Sequence, residues 1–232
     1  MISNAYGLRR RVVSQKYPNS RIDADASSDR VFRSGEALKV DIVMVPNVDE
    51  AVPAITRRLS TLQLVRIEGF CGVGKTRLAH RLSEITGATH IATDIFAFRP
   101  DRPSPYRDCI KRPELAAEIK RATAASNLVV LDGVCLDEVA PQAEWGRGLL
   151  VYVKRLSLQS GTSIWHDGID LEDGEVPHDE PGRSIFLYNA KVRPDHRADL
   201  ILELPGEFDS LPPGELSRGL CFDPPKAIIR TR

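Results

Sequence analysis

The hydrophobic pattern is clearest in the middle of the chain. Residues 62–68 read Leu-Gln-Leu-Val-Arg-Ile-Glu, a strand that runs into glycine. Residues 75–86 carry Leu78, Ala79, Leu82 and Ile85 at spacings of three and four, which predicts a helix with one apolar face. Gly87 is placed to stop it. A second strand is predicted over 89–93, followed at once by Asp94. Residues 113–126 give another helix, with Leu115, Ala116, Ile119 and Ala122 on one side. Residues 128–131 form a continuous apolar run that ends in Asp132 and Gly133, as suits a strand buried on both faces of a parallel sheet. Further strands are predicted over 149–153 and 200–204.

Strands alternating with helices imply an α/β fold, a parallel sheet with helices on both faces. The flanks are less regular. Residues 40–45 predict a strand stopped by Pro46, and a helix follows over 49–59 with Pro53 expected in its first turn. Residues 17–36 are polar and read as loop. Past Leu204 the chain is rich in proline and glycine, and an extended tail is expected. This gives an extension over 1–60, an α/β domain over 61–205 and a tail over 206–232.

Charge changes the picture little. The chain holds 32 Lys and Arg against 32 Asp and Glu, so nothing draws it as a whole toward nucleic acid or an anionic membrane. No apolar run reaches the roughly 20 residues of a membrane helix. The four cysteines, Cys71, Cys109, Cys135 and Cys221, form no C-x-x-C pair, so neither a metal cluster nor a disulfide framework is expected. A reducing cytoplasm is the compartment this fits.

The chemistry concentrates at Gly69-Phe70-Cys71-Gly72-Val73-Gly74-Lys75-Thr76, a complete G-x-x-x-x-G-K-[ST] phosphate loop between strand and helix. Glycines let successive N–H groups point inward around phosphate oxygens. The helix that begins at Lys75 adds its positive end. Lys75 brings a point charge to the β- and γ-phosphates, and the Thr76 hydroxyl is a magnesium ligand. Cys71 is a small filler whose thiol, near a helix start, is expected to react readily. Asp132, at the end of its strand, stands where an acid reaches the magnesium shell; the plainer reading is a turn residue. Asp94 is placed to take the proton of an attacking hydroxyl, or else to cap a turn.

The insertion after Asp94 holds Phe96, Phe98 and Tyr106 beside Arg99, Arg102 and Arg107, a set suited to stacking on an acceptor or to packing under a loop. Arg155, Arg183, Lys191 and Arg193 are candidates to neutralise phosphate charge. His166, His178 and His196 lack metal spacing and read as surface residues.

Four segments together resemble the uridine-kinase-like group of P-loop kinases, which includes phosphoribulokinase and pantothenate-kinase-type relatives. They are Gly69 to Thr76, Thr93-Asp94-Ile95-Phe96, Val130-Leu131-Asp132-Gly133-Val134, and the run from Val192-Arg193-Pro194 to Ala198-Asp199-Leu200-Ile201. The resemblance spans residues 62–204. It implies a three-layer fold with a five-stranded parallel sheet in the order 2-3-1-4-5. It also implies an ATP- and magnesium-dependent phosphotransferase acting on a hydroxyl of a small metabolite, with Asp94 as base and Arg193 near the nucleotide base. The family's arginine-rich lid after the fourth strand has no full counterpart, which leaves Lys154 and Arg155 to supply a lid cation. The expected partner is a small-molecule acceptor rather than nucleic acid or membrane, and self-association is open. The competing reading is a nucleotide-binding switch, ATPase or silent module that works with a protein partner. A GTPase is disfavoured, because Asp132-Gly133-Val134-Cys135 is not D-x-x-G and no N-K-x-D base reader is present.

Overall fold

The structure is a computed structural model that describes residues 10–11, 41–45, 47–59, 64–141, 145, 148–156 and 178–205. The polar stretch 17–36, the segment 157–177 with His166, and the tail 206–232 lie outside these residues. In chain order the elements are β1 (Arg10–Arg11), β2 (Asp41–Met44), α1 (Val48–Thr56), β3 (Leu64–Gly69), α2 (Lys75–Thr86), β4 (Thr89–Ala92), α3 (Arg112–Ala125), β5 (Val129–Gly133), α4 (Leu136–Val139), β6 (Leu149–Leu156), α5 (Gly182–Val192), α6 (Pro194–Arg197) and β7 (Leu200–Pro205). Single 3-10 turns occupy Thr93–Phe96 and Tyr106–Cys109.

The sheet corrects the five-stranded expectation. Its order is β1-β2-β7-β6-β3-β5-β4, with six parallel strands and β1 antiparallel at the edge. The five strands from β3 onward lie side by side as β4-β5-β3-β6-β7. Numbered within residues 61–205, that is the expected order 2-3-1-4-5; the N-terminal β2 then adds to β7 with Ile42 opposite Ile201, so the whole sheet is wider than expected and its full order differs. The polar extension hid this pairing, because a four-residue strand carries no mark of its distant partner.

Alternation along the strands separates two faces. Val65, Ile67, Val130, Val151, Val153, Leu200 and Leu202 face α1 and α2 in one core. Leu64, Val129 and Leu131 face α3, α4 and α5 in the other. Leu150, Tyr152 and Ile201 extend that second face beside Ala198. The result is the three-layer α/β arrangement, with each fully buried leucine of α2 contributing roughly 1.5–3 kcal/mol. Leu78 and Leu82 are such residues, whereas Ile85 stays exposed in the last turn. Gly87 closes α2 in a left-handed conformation at φ +71°, as a helix-stopping glycine should.

Helix α1 packs Ala51, Val52, Ala54 and Ile55 into the first core and is capped by Asn47, whose Oδ1 accepts from the Glu50 N–H at 3.0 Å. Pro53 lies inside the helix rather than in its first turn. Proline costs a helix the bond its missing N–H would make, and the apolar face of this short helix offsets that loss.

Candidate functional site

All strands but β1 run in one direction, so the ends of β3, β4, β5 and β6 open on one side, where parallel α/β sheets hold ligands. The turn from β3 to α2 is built by glycine. Gly69, Gly72 and Gly74 have φ of 152°, 76° and 98°. A Cβ on Gly69 would stand 2.4 Å from the Val153 carbonyl oxygen on β6, so this position admits no side chain. The loop therefore curls tightly over the sheet, and α2 begins at Lys75.

Lys75 is buried, and its Nζ donates to the Phe70 carbonyl at 2.6 Å. Burial lowers its pKa, an effect opposed by the carboxylates of Asp94, Asp132 and Glu68. The loop's lysine thus sits in the field of three acids. Thr76, one residue on, donates its hydroxyl to Asp132 Oδ2 at 2.7 Å. Asp132 is only 2% exposed, and its other oxygen, Oδ1, meets His90 Nε2 at 2.5 Å. A hydroxyl beside a carboxylate is a hard-oxygen donor set of the kind magnesium takes. The chemistry of the pair therefore fits that ion, with Thr76 and Asp132 as the residues to hold it.

Asp94 follows β4 in the first 3-10 turn and is exposed to solvent. Its Oδ1 accepts from the Tyr106 hydroxyl at 2.9 Å. Tyr106 is 1% exposed, and burial beside Asp94 pushes its pKa well up. It is thus a buried support for Asp94, not an aromatic surface for an acceptor. Phe98 and Ile95 are the exposed apolar groups of this corner. The close approach of β4 and β5 depends on Gly133, where a Cβ would come within 1.9 Å of Thr93 Oγ1.

Arg155 belongs to β6 itself rather than to a lid after it. Its Nε donates to the Val73 carbonyl at 3.2 Å and its Nη1 to the Pro205 carbonyl at 2.8 Å. It braces the phosphate loop against the end of β7. Arg193 caps α5 in a left-handed conformation and is exposed, beside Asp195 at 3.5 Å and His196 at 2.5 Å. Asp195 also receives Lys154 at 3.2 Å, so these residues form a charged cluster. Arg183 and Lys191 are exposed on α5, as is His178 ahead of it. Cys71 is half-buried in the loop. Cys109 and Cys135 are free and buried.

The structure brings Lys75, Thr76, Asp132 and Asp94 to one end of the sheet. Sequence reasoning missed His90 and the role of Tyr106. An alternation in 89–92 that turns His90 to the same face as Asp132 was the available signal for the first.

Loop, sheet and helix together define a three-layer α/β domain with a glycine-built turn between β3 and α2. No family model matches the chain, and no curated protein does. Among solved structures, it is similar to a possible uridine kinase from Bacillus stearothermophilus, at 14% identity over 67% of this chain and 96% of that one, with a TM-score of 0.45. It is also similar to a provisionally named fructose transport system kinase from Silicibacter sp. TM1040, at 14% identity over 69% and 98%, with a TM-score of 0.35. Likeness at this level decides nothing about activity. Among the described residues no helix is long and apolar enough to cross a membrane.

Proposed function

We propose that this chain transfers the γ-phosphoryl group of ATP to a hydroxyl of a small metabolite such as a nucleoside, sugar or vitamin-like alcohol. The observation that carries the reading is the convergence of a glycine-built phosphate loop, the Thr76–Asp132 pair at 2.7 Å and the exposed carboxylate of Asp94 on one end of the sheet.

Each group has one task. The backbone N–H groups of 69–76 and the start of α2 hold phosphate oxygens. Lys75 offsets phosphate charge from a buried position, where a charge acts more strongly than in water. Thr76 and Asp132 hold magnesium, which supplies further charge neutralisation when bound. Asp94 orients the acceptor hydroxyl and accepts its proton, with Tyr106 fixing one of its oxygens so that the other is presented. Arg155 keeps the loop in its curled shape. Positioning and electrostatics are what phosphoryl transfer asks of a protein, and this end of the sheet supplies both.

The test is magnesium-ATP consumption against a panel of hydroxyl-bearing metabolites, with Lys75→Ala as control. One compound should stimulate turnover, and the control should abolish that stimulation. Asp94→Asn should retain ATP binding while transfer falls by roughly 100-fold or more, the scale of a lost general base. Tight ATP binding without stimulation by any acceptor would overturn the phosphotransferase reading in favour of a partner-driven ATPase or silent module. Near-normal transfer in Asp94→Asn would remove Asp94 from the mechanism.

A further inference from the structure

We infer that His90 is a positioning residue for Asp132, holding its carboxylate in the orientation in which Asp132 and Thr76 meet a divalent cation. This rests on the reading of those two residues as the cation's ligands.

The geometry is a closed arrangement of two side chains of one helix against one side chain from each of two strands. Helix α2 carries Thr76 and His80 four residues apart, hence on one face. Strands β5 and β4 carry Asp132 and His90, and their register sets Ala92 opposite Asp132 and His90 opposite Val130. His90 and Asp132 therefore project from the same side of the sheet, toward α2. Asp132 Oδ2 takes the Thr76 hydroxyl at 2.7 Å, and Oδ1 takes His90 Nε2 at 2.5 Å. The His80 ring meets His90 edge-on, with centroids 4.5 Å apart and planes at 70°.

Both oxygens of a carboxylate that is 2% exposed are thus engaged, one by the proposed ligand partner and one by a ring that is itself packed. Facing a carboxylate oxygen, Nε2 is the donor of this contact, which fixes the ring's tautomer. Without it, Oδ1 would be buried with no partner, and the carboxylate would be free to turn away from Thr76. Partners that hold a ligating group from behind typically matter by 10- to 100-fold in metal affinity. His90 sits in that place, although it is one strand away from the phosphate loop and shares no motif with it.

The experiment measures manganese binding to the full chain by electron paramagnetic resonance in the presence of ADP, together with ADP affinity in EDTA. His90→Leu should weaken manganese binding by roughly tenfold or more, while metal-free ADP affinity stays at the wild-type value. His90→Gln, which keeps a donor within reach of Oδ1, should recover most of the loss. His90→Asn is polar but too short to reach Oδ1, so it should behave like leucine and serves in its place if the leucine variant does not fold. Wild-type manganese affinity in the leucine or asparagine variant would overturn the assignment. So would an equal loss of metal-free ADP affinity that glutamine does not restore, since that marks a general packing defect. If the wild-type chain binds ADP but shows no ADP-linked manganese binding, the ligand reading of Thr76 and Asp132 falls first and takes this inference with it.

Discussion

Two buried carboxylates stand at the same level of the central sheet and differ in what surrounds them. Asp132 ends β5 and Glu68 lies near the end of β3; the register pairs Ile67 with Asp132 and Glu68 with Gly133. Each is 2% exposed. Asp132 points toward α2 and has a donor on each oxygen. Glu68 points to the other face, where the Leu136 N–H donates to Oε1 at 3.1 Å and Oε2 makes no hydrogen bond among the described residues. Burial raises the Glu68 pKa to about 7, a shift only partly offset by the nearby Tyr188 hydroxyl and the Arg66 guanidinium. Arg66 itself is committed to Asp137 at 2.8 Å, and Arg197 also donates to that acid. Equal depth thus gives unequal chemistry. A buried acid is fit for a charged role only where its neighbours supply donors to both oxygens.

The comparison breaks most visibly at Asp132. Asp132→Asn keeps the size and polar character of the side chain but removes its negative charge. Magnesium-dependent turnover should fall roughly 100- to 1000-fold, the usual scale for losing a preorganised electrostatic group. The urea unfolding midpoint should barely move. A variant that retains turnover would show that Asp132 is only a structural partner of Thr76 and His90.

Glu68→Gln should do the reverse, altering stability and sparing turnover. The sign follows from the shift. The unperturbed value of 4.5 rises to about 7 on folding, so the folded chain binds the extra proton between these values. The stability contributed by the Glu68 proton is therefore fully present below about pH 4.5, declines as pH rises through that window, and is lost above about pH 7. Glutamine removes this dependence. At pH 8 the variant should be more stable than wild type by up to about 3 kcal/mol, and at pH 4 the two should match. Urea titrations at the two pH values measure it. Equal stability at pH 8 would mean that Glu68 finds a partner or solvent that this structure does not provide.

These contrasts also mark what the sequence discloses. The glycine-rich turn at residues 69–76 was legible because its motif lies within eight consecutive residues, which local periodicity then placed between strand and helix. Asp132 was legible because it terminates an apolar run. Nothing local announces that His90 reaches Asp132 across 42 residues, or that Arg66 meets Asp137 across 71. The stretch Leu64-Val-Arg-Ile-Glu alternates as a half-exposed strand would, yet Arg66 and Glu68 are buried because α4 and α5 cover the face they occupy. Tyr106 looked like an aromatic for an acceptor to stack on. Its hydroxyl instead turns inward to Asp94, twelve residues away, because the insertion folds back with the Tyr106 N–H donating to Ser184 Oγ at 2.8 Å on α5. β2 was read as a strand, but its place beside β7 depends on a partner more than 150 residues further on. What stayed hidden in each case is a contact made by tertiary packing.

The smallest expected effect sharpens the comparison from outside the core. Arg81 on α2 meets Asp49 on α1 at 2.7 Å, the same distance as Thr76 to Asp132, and also meets Glu84 at 3.1 Å. Here every partner is exposed: Arg81 keeps 46% of its side-chain surface and both acids 66%. Water and salt screen such a pair, and ordering the side chains costs what the attraction supplies. Arg81→Ala should therefore leave the urea midpoint unchanged within error at low and at high salt. A clear loss that grows at low salt would mean that this pair anchors α1 to α2, and that distance alone is a better guide to strength than the burial argument allows. An unchanged midpoint would assign the hold between the two helices to Ala51, Ile55, Leu78 and Leu82, which share the core beneath the pair.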